Sequence, residues 1–165
     1  MDELAGLLSR ERRLLEVLLF KLITARHLLA AGESRFLTWA AAEVERATER
    51  VRDSEMMRAA LVQQLARSMG LSEENLTLGA LAKESPEPYR SIFEDHRRAF
   101  FDLVGEVEEV TKANRQLAQR GMREVSEVLE KIDMSGHHDA EARLYGPDAT
   151  TRPAITAPAR FDGTL

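Results

Sequence analysis

The distribution of helix-breaking residues constrains the fold of this 165-residue chain more than any other feature. No proline occurs before Pro86, and the 37 residues from Glu33 to Met69 contain neither glycine nor proline. Such a stretch favours long helices, because glycine and proline are the residues that most often end them. At a rise of about 1.5 Å per residue, one helix of this length is about 50 Å long, too long for a compact globule of this size. The sequence therefore predicts an elongated helical bundle.

Apolar residues recur at alternating spacings of three and four in three segments, 2–31, 35–69 and 89–134. This is the pattern of helices that pack along a common seam. We expect Gly32 to end the first helix and Ser34 to cap the second. The expected seam residues are Leu4, Leu8, Glu11, Leu15, Leu18, Leu22, Ala25 and Leu29; then Leu37, Ala40, Val44, Ala47, Val51, Met57, Leu61, Leu65 and Met69; then Phe93, His96, Phe100, Leu103, Val107, Val110, Asn114, Leu117 and Gly121.

We therefore predict an all-α protein, an elongated antiparallel three-helix bundle or coiled coil. A short connector helix is expected near residues 77–82, between the second and third long helices. Residues 1–134 would form the helical bundle domain. Residues 135–165 contain three of the five prolines and no helical period, which predicts a flexible, disordered C-terminal tail.

Charge and cysteine content exclude several classes of protein. The chain has 23 basic and 28 acidic residues, a net charge of −5, so it lacks the basic surface of a nucleic-acid-binding protein. It has no cysteine, which excludes disulfides, thiolate catalysis and cysteine-ligated zinc. The most apolar run, 14–23, is much shorter than the roughly 20 residues of a membrane span. Since the N-terminus has no signal-peptide pattern, we expect a cytoplasmic protein without nucleic-acid binding or membrane insertion.

Motifs for catalysis, cofactor binding and metal binding are not found in the sequence. It has no Gly-x-Ser-x-Gly elbow, no Gly-x-Gly-x-x-Gly loop and no Walker motif. Di-iron and di-manganese bundles use Glu-x-x-His pairs, but none of the four histidines has a glutamate three residues before it. His96 lies on a seam, where a histidine bonded to a neighbour is commoner than a lone ligand. We expect no enzymatic activity, no cofactor and no metal site.

Apolar residues exceed what a three-helix core needs. A helix that is apolar nearly all round is either central in a larger bundle or part of a docking groove. The alternative is a homo-oligomer that buries the same surface without another partner. The surplus residues are Leu7, Leu14, Val17, Leu19, Phe20, Ile23 and Leu28 in the first helix and Phe101, Val104, Met122 and Leu129 in the third. Among them we predict as partner-binding residues Val17, Phe20, Phe101, Val104, Met122 and Leu129.

Asn114 is a polar residue on an otherwise apolar seam. A lone asparagine there costs stability but fixes the register and number of helices, because only one alignment gives its amide a hydrogen bond. It could equally cap a bend or contact water. We favour the role in register.

Five segments occur in an order and spacing that resemble one family; the first four lie within residues 4–134, which the resemblance covers, and the fifth lies nearer the C-terminus. They are the run Leu4, Leu8, Glu11, Leu15 and Leu18; residues 43–45 followed by 58–66 and Gly70-Leu71; residues 77–82; residues 112–117 around Asn114; and Leu144-Tyr145-Gly146. The family is the FlgN-type flagellar export chaperones, which hold hook-filament junction proteins before secretion. The tail after Gly146 departs from it, since it is longer and richer in proline than the family requires.

The resemblance implies a non-catalytic cytoplasmic chaperone. It would bind the C-terminal amphipathic helices of junction proteins, prevent their premature assembly and deliver them to the flagellar type III export apparatus. As the resemblance further implies, Tyr145 would engage a component of the export gate or ATPase; the alternative is that the tail is an inert spacer. The alternative is a structural coiled-coil protein that oligomerises and has no exported client.

Overall fold

The computed structural model describes residues 1–69 and 77–144, with side chains through Ser68 and from Thr77 to Asp133. Within these residues it contains four helices and no strand. The predicted all-α helical bundle is therefore confirmed. The 36 residues of the second helix span about 54 Å at about 1.5 Å per residue, close to the length expected from the sequence. The helices are α1 (Asp2–Ala30), α2 (Ser34–Met69), α3 (Leu78–Glu84) and α4 (Tyr89–Leu144).

The turn between α1 and α2 is made by Gly32, whose φ of 69° lies in the left-handed region. The N–H of Gly32 donates to the carbonyl of Leu29 at 3.3 Å, and the N–H of Glu33 donates to the carbonyl of Leu28 at 3.0 Å. These two bonds form a Schellman motif, which satisfies carbonyls at the end of α1. The predicted stop at Gly32 is confirmed. The helical residues of α2 begin at Ser34 itself, so the cap position falls one residue earlier, at Glu33, and not at Ser34 as expected.

Contacts between side chains fix the directions of the long helices. Two ion pairs join α1 to α2, and the α2 residue number falls as the α1 number rises, so these helices are antiparallel. Two hydrogen bonds join α1 to α4 with numbers that rise together, so α4 runs parallel to α1. The contacts are Glu11–Arg58, Lys21–Glu43, Asp2–Tyr89 and Leu22–Asn114.

The core consists of two hydrophobic clusters, each built from α1, α2 and α4. Phe93 is fully buried in the first cluster, where α3 also contributes Leu81 and Ala82. The predicted seams of α1 and α4 supply most of the other residues, because their apolar positions repeat with the period of packed helices. The first cluster contains Leu4, Leu8, Ala66, Leu81, Ala82 and Phe93, and the second contains Leu15, Leu18, Leu19, Leu22, Ala47, Val51 and Val110.

Three sequence-based assignments are wrong in detail. Gly121 was placed on the α4 seam but is exposed, and a Cβ at this position would meet no other atom within 4 Å. Met57 was placed on the α2 seam but is 55% exposed, because Ser54 is buried and Arg58 half-buried in its place. The period of three and four continues through these two polar residues, which a count of apolar residues passes over. Leu19 was assigned to the surplus but is buried in the second cluster, against which Leu14 and Ile23 also pack. A side chain beside the seam is buried there because two other helices contact α1.

The connector helix α3 is longer than predicted and ends at Glu84. Its N-terminus is capped by Thr77, whose Oγ1 accepts a hydrogen bond from the N–H of Ala80 at 3.1 Å. This bond satisfies one of the N–H groups that a helix leaves unpaired at its start. The seven residues 70–76 lie outside the described part of the chain.

The chain divides into two units, of which the first is Met1–Met122 and the second begins at Arg123. The prediction that the third long helix ends near Met134 is wrong, since α4 continues to Leu144. Residues 135–144 contain no proline, and the single Gly136 costs only about 1 kcal/mol in a helix interior. The domain boundary at 134 stays a prediction, and the disorder expected of residues 145–165 falls outside the described residues.

Candidate functional site

A partly open groove of about 280 Å³ lies in the first unit and is the candidate functional site. Its α1 side runs from Leu4 to Leu15, which lie about 17 Å apart along the helix at a rise of about 1.5 Å per residue. Residues of α2 and α4 also border it, together with two leucines of α3. The complete lining is Leu4, Leu8, Glu11, Leu15, Glu55, Arg58, Val62, Leu78, Leu81, Phe100 and Val104.

The groove is mostly apolar but contains one ion pair. The Nε–H of Arg58 donates to both carboxylate oxygens of Glu11, at 2.8 and 3.2 Å. The Glu11 side chain is 6% exposed, whereas the Arg58 side chain is 40% exposed. The pair therefore joins a buried position of α1 to the solvent-facing edge of α2. Removing either partner would leave a buried or half-buried charge uncompensated, which is strongly destabilising.

Burial raises the pKa of Glu11, and the positive charge and hydrogen bonds of Arg58 only partly offset the rise. The negative charge of Glu55 raises this pKa further. The field of Glu55 therefore extends into the groove. With two carboxyl groups and one guanidinium, the polar lining of the groove has one more acidic than basic side chain.

Of the residues predicted to bind a partner, Val104 lines the groove and is 44% exposed. Phe101 is 83% exposed and lies three residues earlier on α4, so the two side chains share one side of that helix. The structure thus places Val104 in the groove, whereas Phe101 is exposed on the same side of α4 but does not line it. An exposed phenylalanine beside an apolar opening is the kind of residue that anchors a partner.

The other predicted partner-binding residues lie elsewhere. Val17 and Phe20 are 37% and 62% exposed on α1 but do not line the groove. Met122, at the end of the first unit, is 65% exposed, and Leu129, in the second unit, is 61% exposed. Tyr145 falls outside the described residues. The sequence therefore identified exposed apolar residues without showing which of them lie together.

Asn114 contacts α1 directly: its Nδ2 donates to the carbonyl of Leu22 at 2.9 Å. Among the described residues, its buried Oδ1 has no hydrogen-bond partner. A single amide bond between parallel helices is the kind of contact that a register role requires. That role stays a prediction.

His96 is buried on the α4 seam, with Nε2 3.3 Å from the hydroxyl of Ser9. Burial and the positive charge of Arg12 lower the pKa of His96, while Asp95 acts in the opposite direction. His96 is therefore a core histidine beside a hydroxyl, and its burial disfavours the protonated form. In the part of the chain that the structure describes, no group of three or more histidine, aspartate or glutamate residues is placed to hold a metal ion.

Sequence reasoning missed two features of the surface. Trp39 is 70% exposed and packs its ring 5.8 Å from that of Phe36, over which the Arg35 guanidinium lies at 4.4 Å. Only the single tryptophan in the composition pointed to this patch. The second feature is Arg58, which was not predicted because it lies in the polar segment of α2, where the apolar pattern is interrupted. No helix within the described residues is long and apolar enough to cross a membrane.

Comparison with known proteins gives one match. A family model described as FlgN protein matches residues 1–153 of the chain. This range includes both core clusters and every residue of the groove. No curated protein and no solved structure matches the chain.

Proposed function

The chain belongs to the FlgN family of flagellar export chaperones, and we propose that its groove binds the C-terminal amphipathic helix of a hook-filament junction protein. The family is one of chaperones and not of enzymes. In the proposal, binding occurs in the cytoplasm, prevents premature assembly and precedes delivery to the flagellar export apparatus.

The observation that carries the proposal is the apolar groove that three long helices leave open. Leucines of α1 and α3 line it, and Val104 of α4 keeps 44% of its surface exposed beside them. Apolar surface that a bundle does not cover favours a partner. An amphipathic helix would lie along the opening and insert its apolar side chains between those of α2 and α4, in the helix-in-groove mode.

The remaining predicted residues extend this proposal beyond the groove. Phe101 would contact the client helix at the α4 edge. Val17, Phe20, Met122 and Leu129 would contact other parts of the client, and Tyr145 would engage a component of the export gate or ATPase. Their exposure, for all but Tyr145, supports these roles.

Val104→Asp tests the proposal with the labelled C-terminal segment of a junction protein and fluorescence anisotropy. A docked helix would bury the remaining valine surface, worth about 1 kcal/mol, and a carboxylate there would be desolvated at a cost of about 2 kcal/mol or more. We expect affinity to fall about a hundredfold.

The matched control is Met56→Asp, which places the same carboxylate at a 64% exposed apolar position of α2 that neither lines the groove nor belongs to the proposed contacts. It should leave affinity within about twofold of wild type, and circular dichroism should show unchanged helicity in both variants. Equal affinity of Val104→Asp and wild type would refute the docking site. If Val104→Asp instead dissociated an oligomer and no junction protein bound, the alternative of a structural coiled-coil protein would be favoured.

A further inference from the structure

Only one N–H group of the Arg58 guanidinium forms hydrogen bonds among the described residues. Both of its hydrogen bonds to Glu11 come from Nε, so the two terminal nitrogens make no hydrogen bond among the described residues. The side chain is 40% exposed and borders the groove. Arginine presents five donors in a planar fork, and most of them here remain available to an occupant of the groove.

A helix docked over the groove would remove water from these donors. Donors that lose water without gaining an acceptor weaken binding, and the penalty is larger for a charged group. A docked helix with leucine opposite Arg58 would leave them unpaired. An occupant that fits the groove must therefore supply one hydrogen-bond acceptor within its apolar stripe.

Charge decides which acceptor fits. Glu11 already neutralises the guanidinium, and Glu55 adds a second carboxylate to the lining. A carboxylate on the occupant would meet repulsion from both, while a cation would be repelled by Arg58 and would leave its donors unpaired. A side-chain amide accepts a hydrogen bond without adding charge.

We propose that the groove selects a helix with glutamine or asparagine at the stripe position facing Arg58. This inference rests on the proposed function and makes Arg58 a specificity-determining residue for the client. The remaining stripe positions, which face the leucines of α1 and α3, are apolar.

The experiment uses blocked, fluorescein-labelled 21-residue peptides of three heptads. Leucine occupies both stripe positions of each heptad, lysine and glutamate balance the other positions, and one central stripe position is glutamine, leucine, glutamate or lysine. The full chain should bind the glutamine peptide most tightly and the lysine peptide most weakly. Because the stripe repeats, each peptide can adopt the register that places its variable residue opposite Arg58.

The deciding variant is the double replacement Glu11→Leu with Arg58→Met, which removes both charges together and avoids an unpaired buried carboxylate. It should reverse the order and prefer the leucine peptide. The ratio of the leucine and glutamine affinities should change by about tenfold or more, as expected when a hydrogen bond to a charged donor is lost. Arg46→Met, at an exposed arginine paired with Glu43 outside the groove, should leave the ratio unchanged.

Three results would overturn the inference: an unchanged ratio in the double variant, tighter binding of the glutamate peptide than of the glutamine peptide, or no binding of any peptide to the wild-type chain. The first two leave the proposed function intact if Val104→Asp still lowers the affinity for the junction-protein segment about a hundredfold. Loss of the Val104→Asp effect would instead remove the proposed function itself.

Discussion

Replacing Asn114 by leucine should make the bundle more stable but should also allow more than one helix register. The change removes the hydrogen bond from Nδ2 to the Leu22 carbonyl, worth about 1 kcal/mol. The carbonyl is not orphaned, because it lies within α1, where the backbone N–H four residues later bonds to it. The change also removes the buried Oδ1, which has no partner among the described residues and costs about 1 kcal/mol or more.

The new leucine adds apolar contact on the seam between Val110 and Leu117. Because position 114 is only half-buried, this contact contributes about 1 kcal/mol, less than a fully buried leucine. We therefore expect Asn114→Leu to raise the free energy of unfolding by about 1 kcal/mol. Urea denaturation followed by circular dichroism measures this change, with an unchanged slope showing that the two-state reading holds.

The same variant should lose a unique arrangement. Without the amide, neighbouring registers of α4 along α1 differ less in energy, and ¹H–¹⁵N NMR should show additional amide resonances or light scattering should show additional oligomers. Gln116→Leu is the control, since this exposed neighbour on α4 adds apolar surface off the seam and should change stability by less than about 0.5 kcal/mol. A more stable variant with a single set of resonances and the wild-type oligomeric state would refute the register role. A less stable one would show that the hydrogen bond outweighs the buried oxygen.

Two further predictions concern the core. Phe93→Ala should lower the free energy of unfolding by about 3–5 kcal/mol in urea denaturation, because the side chain is fully buried. Phe101→Ala, at an 83% exposed position, should change the free energy of unfolding by less than about 0.5 kcal/mol. Effects of similar size in the two variants would contradict the assigned core. Burial and the charge of Arg12 lower the pKa of His96 from 6.5, and Asp95 opposes them. As the pH falls below 6.5, the unfolded chain therefore binds more protons than the folded chain, and the free energy of unfolding should decrease. Thermal melts between pH 5 and 8 should show a smaller decrease in His96→Leu, and equal decreases in both proteins would contradict this cause.

The seams of α1 and α4 were predictable from the sequence because apolar residues mark them almost without interruption. The seam of α2 was predictable only in part, because Ser54 and Arg58 occupy it where Met57 was expected. Spacing placed Glu11 on a seam, but its partner lies 47 residues away along the chain. Such a pairing depends on how two helices align, which local periodicity does not specify.

The groove was not predictable from the surplus of apolar residues, since only Val104 of that surplus lines it. Val104 and Phe101 were identified, yet nothing in their spacing relates them to Leu78 or Leu81 of α3, which follow a connector of irregular sequence. Periodicity assigns a side chain to a face of its own helix. Which faces meet, and which remain open, depends on the tertiary arrangement of all four helices.

Leu4, Leu8 and Leu15 belong both to the lining of the groove and to the core clusters. A client helix bound there as proposed would contact the core itself and would stabilise the folded chaperone by about 2.7 kcal/mol when free client is at a hundred times its dissociation constant. Molecules without a client would then unfold more readily and be cleaved sooner by cellular proteases than molecules with one. The lifetime of the chaperone in the cell would then follow the supply of the proteins that it escorts.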